Sequence, residues 1–275
     1  MNRPIILDSV THLKPEHRGQ AAHCASHGGA YAGYFAAKMG VGAVILNDAG
    51  IGRERAGLAG LNLLGDLGVP AACVSHATAR IGDGQDGYAR GIVSAVNVAA
   101  AHLGLADGMR CQDALTILAG ATLTASPEPR AIAEHRFEHS DFGQNGVRVI
   151  VMDSTGDVCA DDAGHIVVTG SHGGLLGGRP ETAVKHAVYA AVYNDAGFGI
   201  ENAGISRLPA LDARGIAGAC VSAFSARIGD GRSTLDDGFI SALNATARYR
   251  GGTIGQSCKD FVAAMVKARS KEQPG

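Results

Sequence analysis

The chain has 275 residues, 46% of them hydrophobic, and a formal net charge of −2 at pH 7. This length allows one or two domains with a buried core, and the near-neutral charge is not the basic footprint typical of a nucleic-acid-binding protein. No apolar run approaches 18 residues, and the one after Met1 is too short for a signal peptide. We therefore expect a cytoplasmic protein with no nucleic-acid or membrane partner.

Short apolar runs predict four strands in the first part of the chain, at residues 4–7, 21–25, 41–46 and 71–74. Between and after them, apolar residues at helical spacing predict three helices: one ending near Lys38, one over 54–67 and a long one over about 85–103. Corresponding runs occur later in the chain, where a helix ending near Lys185 and a long helix through Leu235 and Ala247 are predicted.

One stretch occurs twice. Residues 70–84 and 217–231 are both apolar runs that end in Ala-Arg-Ile-Gly-Asp-Gly, and the match extends at the same spacing from Lys38 and Lys185 to Asp113 and Asp260. The sequence therefore predicts two copies of one α/β unit, over residues 1–115 and 147–275. Residues 116–146 are predicted to be a linker with one short helix near 128–136.

The order of the predicted elements indicates the fold class. Strands that alternate with helices are typical of parallel β-α-β units with helices on both faces of a sheet. We therefore expect an internally duplicated α/β fold, in which two parallel-sheet repeats of about four strands each are related by a pseudo-twofold axis.

Polar residues follow the end of each predicted strand. In the first copy these are Asp8-Ser9, Ser26-His27, Asn47-Asp48 and the segment from Arg80 to Asp83, and the second copy repeats the arrangement. Ligands of open parallel sheets bind outside the carboxyl ends of the strands. The sequence therefore predicts a site at this edge of the sheet.

Ser-His-Gly-Gly stands between a strand and a helix in each copy. Backbone N–H groups at such a turn can bind an anion, so we predict substrate contacts from Ser26, Gly28, Gly29, Ser171, Gly173 and Gly174. His27 and His172 are candidate general acids or bases. The alternative is that the glycines only permit the turn and the histidines pack or cap.

Asp48 and Asp195 are candidates for proton exchange with, or orientation of, those histidines, and otherwise would be helix caps. The Arg-Ile-Gly-Asp loops supply Arg80, Asp83, Arg227 and Asp230. A guanidinium group offers planar, bidentate recognition of a carboxylate or phosphate, so these residues are predicted to bind substrate. The alternative is an Arg–Asp pair that stiffens its own loop.

The sequence predicts no cofactor. The glycines at 50, 52 and 57 do not have the spacing of a dinucleotide-binding loop. A metal site from His27, Asp48 and Asp83 would have no diagnostic ligand spacing. The cysteines lack metal-type spacing too, so we expect reduced, mostly buried thiols.

The duplicated α/β organisation is similar to that of the cyclic-amide ring-opening hydrolases and of the aspartate/glutamate racemases. The first family has three repeats with Ser–Lys pairs, and the second has cysteines at strand ends. Here Lys38 and Lys185 are predicted to lie on the opposite edge of the sheet, and Cys73 and Cys220 fall within apolar strands. Neither pattern is met, so no residue role is carried over.

These observations favour a cofactor-independent enzyme, a hydrolase of an amide or ester bond in a small anionic metabolite that contains a carboxylate. A racemase, isomerase or lyase acting on a small carboxylate is an alternative, and so is a non-catalytic anion-binding protein. The few aromatic residues and the apolar composition favour a homo-oligomer. His76 and Asp86 have no counterpart in the second copy, where Ala223 and Ser233 stand, so they would mark the working half if only one copy is catalytic.

Overall fold

The fold is α/β, with two mostly parallel sheets and helices packed on them. The computed structural model describes residues 5–132, 135–142 and 146–272. We refer to residues 5–132 as the first half of the chain and to the remaining described residues as the second half.

The first half forms a five-stranded sheet in the order β1-β2-β3-β4-β5. Its strands are β1 (Ile5–Leu7), β2 (Ala21–His27), β3 (Ala43–Asn47), β4 (Ala71–Val74) and β5 (Val93–Val96). Neighbours from β1 to β4 are parallel, and β5 is antiparallel to β4. The helices are α1 (Ala30–Lys38), α2 (Ala59–Asp66), α3 (Gly84–Arg90), α4 (Val98–His102) and α5 (Cys111–Gly120).

The second half forms a six-stranded sheet in the order β11-β10-β9-β8-β7-β6. Its strands are β6 (Arg136–Glu138), β7 (Val149–Met152), β8 (Ile166–His172), β9 (Ala190–Asn194), β10 (Ala217–Val221) and β11 (Ile240–Leu243). The inner strands β7 to β10 are parallel, whereas β6 and β11 are antiparallel edges. The helices are α6 (Arg207–Asp212), α7 (Gly231–Asp237), α8 (Ala245–Tyr249) and α9 (Cys258–Glu272).

Each sheet is buried on both faces. On the first sheet, α1 and α2 cover one face with residues such as Ala36 and Leu64, and α5 covers the other with Leu115 and Leu118. Strands buried on both faces are nearly continuous apolar runs rather than alternating ones. This explains why the sequence alone was enough to predict the inner strands.

The predicted helix over about 85–103 is wrong, and the segment forms α3, β5 and α4 instead. The chain leaves the helix at Gly91, whose backbone is extended (φ −60°, ψ 137°). Ile92, Val93 and Val96 then follow, and β-branched residues favour strands. The equivalent prediction through Leu235 and Ala247 is wrong in the same way, because β11 separates α7 from α8.

The sheets therefore have five and six strands, not about four. The range predicted as a linker contains regular structure: α5 extends into it as far as Gly120, and Arg136 begins β6, which pairs with β7. The described residues of the range 128–136 form no helix, while 133 and 134 lie outside the described part of the chain.

The helix predicted to end near Lys38 is confirmed as α1, but its counterpart near Lys185 is wrong. Between β8 and β9 the described chain has only two short 3₁₀ turns, Leu176–Gly178 and Pro180–Thr182. Gly177 and Gly178 have φ values of 58° and 67°, and Pro180 follows them. Left-handed glycines next to a proline interrupt an α-helix.

The described cysteines are all free, and five of the six are buried, with only Cys159 exposed. Cys73 and Cys220 pack within β4 and β10, as the sequence predicted. In the described parts of the chain, helices with enough length and apolar character to cross a lipid bilayer are absent.

Candidate functional site

Loops that follow the strands of one sheet contact the corresponding loops of the other. The Arg53 amide donates to the Ala223 carbonyl at 2.8 Å, and the Ile200 amide donates to the His76 carbonyl at 2.8 Å. Gly50 lies so close to Gly197 that a Cβ atom on either would come within 2.8 Å of the other's Cα. The carboxyl ends of the two sets of strands are thus brought together.

His27 and His172, predicted as site residues, meet at this junction. They end β2 and β8, are only 8% and 6% exposed, and their ring centroids are 6.4 Å apart. Both line a cavity of about 110 Å³. Its other lining residues come from both halves and include Ser26, Tyr31, Ser171 and Arg207.

Both imidazoles are neutral and are held in one tautomer. The amides of Gly29 and Gly174 each donate to Nδ1 of the histidine two residues earlier, at 3.1 Å. Burial lowers the pKa of His27 to about 4. Burial, reinforced by nearby Arg207, holds the pKa of His172 well below its usual value. Because Nδ1 accepts a hydrogen bond, the ring proton lies on Nε2, which is a donor.

Arg207 is a buried cation in the same cavity wall, and the sequence analysis missed it. It is 2% exposed, and no carboxylate of the described residues pairs with it. Its Nε donates to the Gly174 carbonyl at 3.0 Å, and its Nη1 donates to the carbonyls of Thr182 and Ala183. Burial lowers its pKa. A buried charge without an opposite charge is unfavourable, so the wall is suited to an anion.

One signal for Arg207 was present in the sequence. At the spacing of the repeated stretch, Ala203-Gly-Ile-Ser-Arg207 corresponds to Ala56-Gly-Leu-Ala-Gly60, so an arginine stands where the first copy has a glycine. In the first half, α1 packs against Gly60. In the second half that helix is absent, and the Arg207 side chain instead binds the carbonyls of the segment that replaces it.

Ser26 and Ser171 hold the loops that follow β1 and β7 over the cavity. Ser26 Oγ accepts from the Val10 amide and Ser171 Oγ from the Thr155 amide, each at 2.8 Å. The Ser171 hydroxyl can donate its proton to a ligand, whereas Ser26 Oγ also lies 3.4 Å from Ser9 Oγ. Within the described residues no hydrogen bond joins either serine to a histidine, so no Ser–His pair is formed.

The glycines of the two Ser-His-Gly-Gly turns use their N–H groups inside the protein. Gly28 donates to the Asn47 carbonyl at 2.6 Å and Gly173 to the Asn194 carbonyl at 2.8 Å. Gly29 and Gly174 donate to the histidines. These N–H groups are therefore engaged, and the recognition of an anion falls to side chains.

Gly28 is required by a close approach. A Cβ atom there would lie 2.5 Å from both Cys73 Sγ and the Gly57 carbonyl oxygen. We expect Gly28→Ala to lower the free energy of unfolding by about 1–3 kcal/mol, because overpacking forces backbone shifts. Urea denaturation measures this. Gly120→Ala, where no atom lies within 4 Å of the new methyl group, is the control and should be near neutral; an equal effect of both would contradict the expectation.

Asp48 forms no hydrogen bond with His27 but pairs with His76. Asp48 Oδ1 accepts from His76 Nδ1 at 2.8 Å and from the His76 amide at 2.9 Å, while Oδ2 accepts from Ser94 Oγ at 2.8 Å. Burial acts to raise the pKa of Asp48, but these hydrogen bonds outweigh it and the pKa is lowered.

Asp195 takes the corresponding position in the second half without a histidine partner. It accepts from the amides of Ala223 and Gly197, both at 2.9 Å. Burial raises its pKa, against the effect of those hydrogen bonds. Both aspartates therefore order loops beside the cavity rather than the imidazoles within it.

The two Arg-Ile-Gly-Asp loops form ion pairs across the halves. Arg80 Nε donates to Glu201 at 2.8 Å. Arg227 Nη2 pairs with Asp230 at 3.0 Å, and its Nη1 lies 3.3 Å from Glu54. Asp83 and Asp230 cap α3 and α7. These guanidinium groups are partly exposed and already paired, an arrangement closer to the loop-stiffening alternative.

The His76–Asp48 pair predicts a pH-dependent stability. The hydrogen bond and charge of Asp48, aided by Asp195, raise the pKa of His76. The stabilisation is thus fully present below the unfolded pKa of about 6.5 and is lost as the pH rises through the folded value.

We expect His76→Ala to lower the free energy of unfolding by about 1–3 kcal/mol at pH 6 and by less at pH 9. Urea denaturation at the two pH values tests this, with exposed His102→Ala as the control. A pH-independent effect of His76→Ala would contradict the expectation.

No protein-family model matches the chain, and no curated protein or solved structure shows significant similarity to it. In the described part of the chain, no three His, Cys, Asp or Glu side chains converge as metal ligands do. The cavity itself is therefore the main indication of function.

Proposed function

We propose that the chain is an internal duplication whose two repeats, residues 1–115 and 147–275, are related by a pseudo-twofold axis and share the cavity. One support is the set of non-glycine residues with positive φ. They recur in pairs at the spacing of the repeated stretch: Ala49/Ala196, Ile51/Phe198, Glu54/Glu201 and Arg55/Asn202. The Arg53–Ala223 and Ile200–His76 hydrogen bonds are paired in the same way.

The proposed activity is that of a cofactor-independent hydrolase acting on a small metabolite that contains a carboxylate. The observation that carries it is Arg207, a buried cation without a carboxylate partner among the described residues, in a wall shared with two buried histidines. A carboxylate bound there would neutralise the guanidinium group through a charge-assisted hydrogen bond. Nη2 would be the donor, because it is the guanidinium nitrogen for which the described residues show no carbonyl partner.

In this proposal the two histidines act as donors. Hydrolysis of an amide or ester places negative charge on the carbonyl oxygen in the transition state, and fixed N–H groups stabilise that charge. The Nε2–H groups of His27 and His172 would supply them without changing protonation state. Neither imidazole has a free ring nitrogen to accept a proton, so the proton of the attacking water would pass to the leaving group.

The same tautomers disfavour a racemase or isomerase, since those reactions require a base that removes a proton from carbon. A second candidate is a non-catalytic carboxylate-binding protein. It is favoured by the lining, because the described residues around the cavity include no carboxylate that could act as a general base. The two candidates share the ligand class and differ only in turnover.

Product analysis separates them. The purified protein would be incubated with short N-acyl amino acids and O-acyl hydroxy acids, and acid release followed by proton NMR. We expect release that is abolished in the His27→Ala, His172→Ala double variant. Saturable binding of these compounds without release by the native protein would favour the second candidate, and the absence of both binding and release would contradict the proposal.

We also propose that the protein is a cytoplasmic homo-oligomer. Large apolar side chains are exposed on the second half, with Phe224 at 73% and Tyr249 at 91%. Removing such apolar surface from water is favourable. A contact between copies would cover these side chains.

A further inference from the structure

The two walls of the cavity match in residue type but differ in charge. Each half contributes one member of three matched pairs of polar side chains: Ser9 and Ser154, Ser26 and Ser171, and His27 and His172. Among the described lining residues Arg207 alone is charged, and it belongs to the second half. Where the first half places the Tyr31 ring and hydroxyl, the second half places Leu176.

The first wall cannot carry a cation at the position that corresponds to Arg207. The position equivalent to Arg207 is Gly60, and a Cβ atom there would lie 2.7 Å from the Gly29 carbonyl oxygen and 2.8 Å from that of Gly28. Gly33 packs against it in turn, which brings α1 close to α2. The close contact of these two helices leaves no space for a side chain, so the difference in charge is built into the packing.

We propose that the ligand is a small monocarboxylate with an uncharged polar group at its other end. It binds in one orientation, with the carboxylate at Arg207 and the polar group near the hydroxyls of Ser9 and Tyr31. This inference rests on the proposed function. A second carboxylate would be buried against a wall without a cation, and a buried unpaired charge is unfavourable.

The size of the cavity supports the same class. About 110 Å³ is well below the roughly 300–1,000 Å³ of pockets that hold drug-sized ligands. A molecule of a few non-hydrogen atoms fills this volume, which is too small to enclose a whole nucleotide. The ligand class is therefore limited by volume as well as by charge.

Three probes of similar size test the proposal: lactate, malonate and lactamide. They differ in having one carboxylate, two carboxylates and none. We expect lactate to bind saturably, measured by calorimetry, and malonate and lactamide to bind at least 10-fold more weakly. Malonate leaves one carboxylate unpaired, and lactamide leaves Arg207 without its counter-charge.

A variant tests the orientation. Tyr31→Lys adds a cation to the first wall and should strengthen malonate binding at least 10-fold relative to lactate. The matched control is Ala30→Lys, which adds the same charge one residue earlier, at an exposed position that does not line the cavity. It should leave the ratio unchanged.

The outcomes separate this inference from the proposed function. If malonate binds the native protein as tightly as lactate and both require Arg207, the proposed site stands and the single-carboxylate inference is overturned. If the ratio of malonate affinity to lactate affinity is the same in Tyr31→Lys as in the native protein, the proposed orientation of the ligand is overturned. If none of the three probes binds and Arg207→Met does not change acid release from the acyl compounds, the proposed function itself fails.

Discussion

Replacing Arg207 with methionine is expected to weaken the binding of a small monocarboxylate by about 10- to 150-fold, because a hydrogen bond to a charged group contributes roughly 1.5–3 kcal/mol. Methionine keeps much of the apolar length of the side chain but removes the cation. Arg207 provides the only charge among the described residues of the cavity wall, so no other lining residue can compensate. Calorimetric titration with lactate measures the change.

A control is needed because Arg207 also holds the segment between β8 and β9. Arg214→Met removes a guanidinium group that donates to the Val184 carbonyl of the same segment at 2.7 Å but does not line the cavity. It should leave the affinity for lactate unchanged. If Arg214→Met weakens binding as much as Arg207→Met, Arg207 acts by ordering the segment and not by binding the anion.

Removing either imidazole is expected to lower turnover by about 10²- to 10³-fold, the typical cost of losing one donor to a developing oxyanion. His27→Ala and His172→Ala should each have this effect with smaller changes in KM. Single-turnover rates with the best substrate of the acyl panel measure it. His102→Ala, at an exposed position on α4, is the control and should retain full activity.

The pH dependence has a defined sign. In the proposed function the neutral His27 imidazole is the active form, and burial lowers its pKa to about 4, so turnover should stay constant from pH 8 to pH 6. Because burial favours the neutral imidazole, the free energy of unfolding also decreases as the pH falls from the unfolded pKa of about 6.5 towards the folded pKa of about 4. Circular dichroism at each pH separates unfolding from loss of activity. A rate that rises as an imidazole deprotonates near pH 6.5 would instead indicate a general base and contradict the donor role.

The inner strands could be predicted from the sequence because burial on both faces makes them short apolar runs. The edge strands β5 and β11 could not. Val93 and Val96 fit a helical period as well as an extended one, and only pairing with β4 decides between them. The segment after His172 is also predicted to be helical, but Gly177 and Gly178 have positive φ values and interrupt the helix.

The location of the candidate site could also be predicted, because parallel strands end at one edge. The roles within it could not, since they depend on contacts between the halves. Arg80 meets Glu201 and Arg227 meets Glu54 only once the two sheets are brought together. Arg207 lines the cavity while it binds carbonyls of the segment between β8 and β9, and no pattern in the sequence predicts the conformation of that segment.

The central claim is that two neutral imidazoles and Arg207 bind one carboxylate-containing ligand between the sheets. Nitrogen-15 NMR of histidine-labelled protein tests it most directly, because the ring nitrogens report tautomer and ligand contact together. We expect His27 and His172, assigned from their alanine variants, to carry the proton on Nε2 at pH 7. Both Nε2–H signals should shift saturably with lactate in the native protein but not in Arg207→Met. Protons on Nδ1, or signals that do not respond to any small carboxylate, would contradict it.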